Sequence, residues 1–280
     1  MRNKFRITIF IMYPHTHHQT DEPILDVHKL TVRFDGRVAL DDINFHLHAG
    51  ERVAVVGPNG AGKSTLFKVV AGVLAPTAGT VTISGSDPAV HICIGYVPQR
   101  ANVDWTFPVS VADVVMMGRS AKLGAFRWPS RRDWDFVRGA LDTVELSDLS
   151  KRQIGELSGG QQQRMFIARA LAQEAELMLM VEPLTGLDLP AQDGILNLLD
   201  TLQKQNVTVM VATHDLDQAG KHFNRVMLLN KKLLGFGPST DVLKPEILIK
   251  AYGNRLKMID ANGNLLAVDD TCCDDEEHNH

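Results

Sequence analysis

Cysteine is scarce in this chain of 280 residues, which contains three. Cys272 and Cys273 are neighbours near the end and Cys93 stands in an apolar run, a distribution that makes no disulfide framework and favours a reducing compartment. A large charge of one sign is missing too. The net charge of −4 and the pI near 6.2 argue against a surface built to coat nucleic acid. No stretch reaches the roughly 18 consecutive apolar residues of a membrane-spanning helix, so any role at a membrane must come through a partner. No internal repeat is visible.

What is present suffices for a real core, since 44% of residues are hydrophobic and the length allows one large domain or two small ones. The ends differ from the body. Met1 to Arg6 is basic and Ile7 to Tyr13 apolar, which imitates a signal peptide, but the apolar part is short and no small-residue cleavage site follows. Residues 1–22 therefore read as a flexible leader upstream of the body, with Met12 as an alternative start, and His15, His17 and His18 in it read as solvated. Beyond Lys257 there is no Lys or Arg, and acidic residues crowd the last dozen positions, so 256–280 reads as an acidic, disordered tail. Its Cys272, Cys273, His278 and His280 either trap a soft metal or are uncommitted.

The body, 23–255, is organised around Gly57, Pro58, Asn59, Gly60, Ala61, Gly62, Lys63, Ser64 and Thr65. This stretch fits G-x-x-x-x-G-K-[ST]. Val53 to Val56 before it reads as a strand and Ser64 to Leu74 after it as a helix, the context such a loop needs. Glycines let the backbone aim N–H groups inward, and a helix N-terminus adds positive potential, so the hollow suits a triphosphate. Lys63 would reach the β and γ phosphates, and the Ser64 hydroxyl would take one position on Mg²⁺.

Around this loop, Ile24 to Phe34 and Ile43 to Leu47 read as strands of an antiparallel region turned at Asp35 Gly36. Phe34 either stacks on a base or joins the core. Thr80 to Ser84 and Ile92 to Val97 read as strands. From about 100 to 156 the pattern turns helical, with Ser110/Asp113 and Ser130/Asp133 placed as capping boxes. Leu157 to Gln161 then precedes a helix through Ala172, and the buried runs Leu177 to Val181 and Val207 to Ala212 flank a helix opened by Pro190. Strand and helix alternating with continuous apolar strands imply a parallel sheet covered on both faces, closed by Val226 to Leu229 and Lys232 to Phe236.

The phosphate loop together with Leu157 Ser158 Gly159 Gly160 Gln161 resembles the ATP-binding cassette proteins over about Ile24 to Tyr252. The resemblance implies an α/β phosphate-loop NTPase with a mixed sheet core, an antiparallel β subdomain and an inserted helical subdomain. It implies Phe34 as base-stacking aromatic, Gln99 as the glutamine that senses Mg²⁺ and the membrane partner, Glu182 as the catalytic carboxylate, Asp188 in the D-loop and His214 as switch histidine. The loop at Ser158, Gly159, Gly160 and Gln161 offers a second anion site at a helix N-terminus, although the phosphate loop already serves one triphosphate. Two copies packed head to tail, with ATP bridging Lys63 of one and Ser158 to Gly160 of the other, are the implied arrangement, and their closure can drive a permease. Tyr96 to Arg100, Val103 to Pro108 and Met117 Gly118 Arg119 are further similar to the cassettes of manganese, zinc and iron importers. That likeness implies a subunit at the cytoplasmic face of the membrane. It would dock on integral-membrane permease subunits near Gln99, with an extracytoplasmic metal-binding protein as an indirect partner, so that nothing in this chain need ligate the metal. A soluble cassette acting on ribosomes or DNA is the rival, and it usually carries paired cassettes or long insertions.

One position departs from the family. The strand before Glu182 should end in aspartate, and here it reads Leu177 Met178 Leu179 Met180 Val181. That aspartate normally holds Mg²⁺, so its loss predicts ATP binding with weakened Mg²⁺ affinity and slowed hydrolysis.

Overall fold

A computed structural model describes residues 22–88, 94–123 and 128–253, together with the backbone of 256–261 and 264–269. The leader, Cys93 and the Cys- and His-containing end of the tail lie outside the described residues. β1 (Leu25–Phe34) and β2 (Arg37–Leu47) form an antiparallel hairpin. Asp35 and Gly36 both take positive φ at its turn, 48° and 77°, the geometry in which a two-residue Asp-Gly loop matches strand twist. β4 (Ala78–Ile83) pairs with the other edge of β1. This small sheet is the expected antiparallel subdomain.

The main sheet takes β3 (Arg52–Val56), β5 (Ile94–Val97), β6 (Leu177–Val181), β7 (Thr208–Ala212), β8 (Arg225–Asn230) and β9 (Lys232–Pro238) in the order β5-β6-β7-β3-β8-β9. Pairing is parallel except between β8 and β9, so the sheet is mixed. Strand pleating sends successive side chains to opposite faces, and this divides the interior. Val53, Val55, Leu177, Leu179 and Met210 join one apolar cluster with the antiparallel sheet and α1 (Lys63–Val70). Ala54, Val56, Met178, Met180, Val209 and Val211 join the other, with α5 (Gly159–Ala172) and α6 (Leu189–Lys204). Both faces are covered, as continuous apolar strands require.

α1 stops at Val70 rather than running on to Leu74. Gly72, at φ 70°, brings its N–H to Val69 O and that of Val73 to Lys68 O, a glycine C-terminal cap that ends the helix. Between the sheet strands, α2 (Val111–Met117), α3 (Ser120–Leu123) and α4 (Arg131–Thr143) form the helical part. Its two chain ends are tied together, with Val111 N–H on Arg152 O and Ile154 N–H on Val109 O. Ser110/Asp113 and Ser130/Asp133 are both complete capping boxes.

Asp133 does more than cap. Its Oδ1 lies 3.2 Å from Arg119 Nε, and Arg119 Nη1 reaches Glu174 Oε2 at 2.7 Å, while Lys122 also pairs with Glu174. The Ser130 hydroxyl, then the Ser130 N–H and Arg119, hold the Asp133 carboxyl below the usual carboxylate range against the opposing effect of burial. A carboxyl lowered on folding stabilises fully above its unfolded pKa of about 4 and loses that contribution as pH falls through the lower folded value. Ser130→Ala is expected to cost about 1 kcal/mol at neutral pH. Urea midpoints of the two proteins should converge as pH is lowered below about 4.

The last helix, α9 (Pro245–Tyr252), is preceded by α7 (Leu216–His222) and α8 (Ser239–Val242) in the chain. Beyond it, two short strands lie in the stretch expected to be a disordered tail. β10 (Leu256–Ala261) and β11 (Asn264–Asp269) pair antiparallel from Leu256↔Asp269 to Ala261↔Asn264. No described helix is long and apolar enough to cross a membrane.

Candidate functional site

β3 delivers the chain to the phosphate loop and α1 takes it away, so the loop is held at both ends by buried elements. Two glycines are demanded by space. A Cβ on Gly57 would lie 2.0 Å from Leu229 O, and one on Gly62, at φ 98°, would lie 2.6 Å from Leu40 Cδ2 and 2.7 Å from Ala39 O. The loop is thereby pressed onto β8 and β2, which fixes its curvature. Lys63 Nζ donates to the carbonyls of Gly57 and Pro58, the latter at 3.3 Å, so the ammonium is folded back over the loop.

A cavity of 740 Å³ opens over this loop. Pro58 through Thr65 form one wall, and Gln99, Val181, Glu182 and His214 form the others. Each arrives at the C-terminal end of a parallel strand: Gln99 two residues after β5, Val181 and Glu182 at the end of β6, and His214 two after β7. Ligands of open α/β sheets bind at that edge. Lys63, Ser64, Thr65, Gln99, Glu182 and His214, all singled out in the sequence, line this one cavity.

Glu182 is strained into position at φ 50°, with its N–H bonded to Ala212 O at 2.8 Å. Its Oε2 accepts from Thr185 Oγ1 at 2.9 Å and lies 2.9 Å from His214 Nδ1. A carboxylate fixed by two neighbours on one oxygen keeps the other for a third group, the arrangement a water-polarising base needs. Beside it, Val181 is half-buried, packs against the cluster behind β6 and lines the cavity.

Other expected site residues stand apart from this cavity. Phe34 is 47% exposed at the tip of β1, which excludes a core role, and it is not part of the cavity wall. Asp188 Oδ1 accepts from Ala191 N–H at 2.9 Å and caps α6. Ser158, Gly159, Gly160 and Gln161 also lie outside the wall. They begin α5, where Ser158 and Gln161 complete a third capping box. Asp215 and Leu216, which do line the cavity, were not singled out from sequence. Asp215 followed by Gln218 at the start of α7 was an available signal, because that pair has capping-box spacing and Asp215 Oδ1 accepts from Gln218 N–H at 2.9 Å.

Known proteins carry the same features. Residues 40–185 match the ABC transporter family. A manganese transport system ATP-binding protein, MntB of Halalkalibacterium halodurans, is 42% identical over 88% of this chain and 98% of its own length. YfeB of Yersinia pestis, named for a chelated iron transport system, is 42% identical over 88% of this chain and 85% of its own length. TroB of Treponema pallidum, named for zinc transport, is 40% identical over 83% and 88%. Among solved structures, cbiO1 of Clostridium perfringens, part of the ABC transporter complex cbiONQ, superposes with a TM-score of 0.71 at 29% identity, covering 82% of this chain and 94% of that one. An inward-facing ABC transporter of metal-chelate type gives 0.75 at 33% identity, covering 88% and 96%. With its phosphate loop, its signature turn at Ser158 to Gln161 and its cavity carboxylate on this fold, the chain belongs to the ATPase family of ABC transporters.

Proposed function

We propose that this chain is the ATP-hydrolysing subunit that energises import of divalent metal ions. It works as a head-to-tail pair at the cytoplasmic face of a membrane, against permease subunits that supply the transmembrane path. The observation that carries the pairing is the separation of the two anion sites. Lys63 lines the cavity, whereas Ser158, Gly159 and Gly160 begin α5 outside it, so the signature turn has no triphosphate to serve within its own chain. A second copy supplies one. The metal reading rests on the named transport of manganese, zinc and chelated iron by relatives near 40% identity, and an extracytoplasmic binding protein is the expected donor.

In each half-site, Lys63 neutralises phosphate charge, Glu182 draws a proton from the attacking water and His214 holds Glu182 and the γ phosphate in register. Mg²⁺ would be held by the Ser64 hydroxyl and the Gln99 amide oxygen, since both residues line the cavity. Hard oxygen donors suit this ion, which relies on phosphate and water for the rest of its shell and would neutralise phosphate charge.

The test is to purify the full chain and add a non-hydrolysable ATP analogue. Nucleotide-dependent doubling of mass in sedimentation, and co-purification with a permease from membranes, are expected. A chain that binds the analogue and stays single overturns the paired reading.

A further inference from the structure

Arg100 is the residue that links the two anion sites of one chain. It follows Gln99, which walls the cavity, and its side chain leaves that wall for the start of α5. Arg100 Nε donates to Gln162 Oε1 at 3.1 Å. A Cβ on Gly159 would sit 2.4 Å from Arg100 Nη1 and 2.8 Å from its Cζ, so the guanidinium lies flat against the backbone of the signature turn in the space that glycine leaves. The Arg100 carbonyl accepts from Trp105 Nε1 at 3.2 Å, and Trp105 in turn meets Phe166 of α5 edge to face at 5.8 Å.

The rest of α5 is bound to the strand that carries Gln99. Arg169 Nη2 donates to Tyr96 O at 3.1 Å and Gln173 Nε2 to Ile94 O at 3.0 Å. Gly95 admits α5 so closely that a Cβ there would lie 2.6 Å from Ala170 Cβ. Burial of Arg169 makes its two-element bridge a desolvated one, which lowers its pKa. β5, Gln99, Arg100 and α5 thus form one braced unit, with Arg100 as the contact at the signature end. The path from Gln99 to Gly159 is short, one peptide and one arginine side chain, and its flexible stem is pinned at the backbone by Trp105 and at the planar head by Gln162 and Gly159.

We infer that Arg100 is a positioning residue that couples nucleotide occupancy in its own chain's cavity to the presentation of Ser158, Gly159 and Gly160 to the ATP of the partner copy. This rests on the head-to-tail pairing proposed above and adds the element by which one half-site informs the other. The ligand served is the terminal phosphate of ATP held by a second copy. Lysine cannot replace the arginine, since it has neither the Nε–H aimed at Gln162 nor a flat face to lie on Gly159.

Arg100→Gln, Arg100→Lys and Gln162→Ala, each in the full chain, test this against the parent. Two quantities are measured: binding of a fluorescent ATP analogue at protein concentrations too low for pairing, and the analogue concentration that half-saturates pairing in sedimentation. Loss of a charge-assisted hydrogen bond is expected to raise the second about tenfold for both Arg100 variants, and by less for Gln162→Ala, which leaves the stack on Gly159 intact. Single-chain affinity should not move, and the thermal midpoint should fall only by the few degrees expected for one lost intrachain hydrogen bond. A parent that pairs alongside an Arg100→Gln protein that pairs equally well overturns the inference and leaves the paired reading standing. Equal losses of single-chain binding and of pairing also overturn it, since they mark a general structural role. A parent that never pairs removes the paired reading and this inference with it.

Discussion

Val181→Asp is expected to raise steady-state ATP hydrolysis by about 10- to 100-fold, the usual worth of a partner that supports a metal's first ligands. The gain should be largest at sub-millimolar Mg²⁺ and shrink as Mg²⁺ approaches saturation, because the new carboxylate acts on the ion's affinity. The argument is one of charge. In the present chain the cavity wall at this point is hydrocarbon, and the protein oxygens offered to the ion, from Ser64 and Gln99, are neutral. A divalent ion beside a triphosphate gains several kcal/mol of differential stabilisation from a nearby fixed negative charge, even at an effective dielectric of about 20. Val181 is only partly buried, so the carboxylate does not have to be desolvated completely. Val181→Asn adds an oxygen without the charge, and a much smaller gain from it would locate the effect in electrostatics. Rates of parent and Val181→Asp that match across a Mg²⁺ titration would refute the expectation.

The cavity was legible in the sequence because its parts are local. Gly57 to Thr65 is contiguous, and Gln99, Glu182 and His214 each follow an apolar run whose strand character is evident, so a parallel sheet brings them to one edge without further information. The two helical caps at Ser110 and Ser130 were readable for the same reason, both partners lying within one turn. What escaped depended on contacts between distant segments, or on signals weaker than composition. Gly72 ends α1 early, although its neighbours are good helix formers. The pairing of β10 with β11 lies in a region whose acidic count suggests disorder, although Asn262 Gly263 between two apolar-rich runs is a recognised hairpin signal. The cluster joining Arg119, Asp133 and Glu174 and the bond from Arg100 to Gln162 join residues 14 to 62 positions apart, and no pattern in a single sequence announces them.

Glu182→Gln is expected to lower kcat by about 10² to 10⁴, the range for loss of a positioned general base. Glutamine keeps the length of the side chain and can still accept from Thr185, but it cannot take a proton and its amide is neutral toward His214. Affinity for ATP should stay within about twofold, since the lost interaction belongs to the reacting water and not to ground-state binding. ATP-driven pairing should then persist, because the event that separates the copies is blocked. The size of the drop also tells how far Val181 has already reduced the chemistry. Groups that act on one transition state are not additive, so the full loss belongs to Glu182→Gln in the Val181→Asp background, and a smaller one to the same change in the parent. Single-turnover hydrolysis in the four proteins closes that cycle. A drop of equal size in both backgrounds would mean that Val181 and Glu182 act independently.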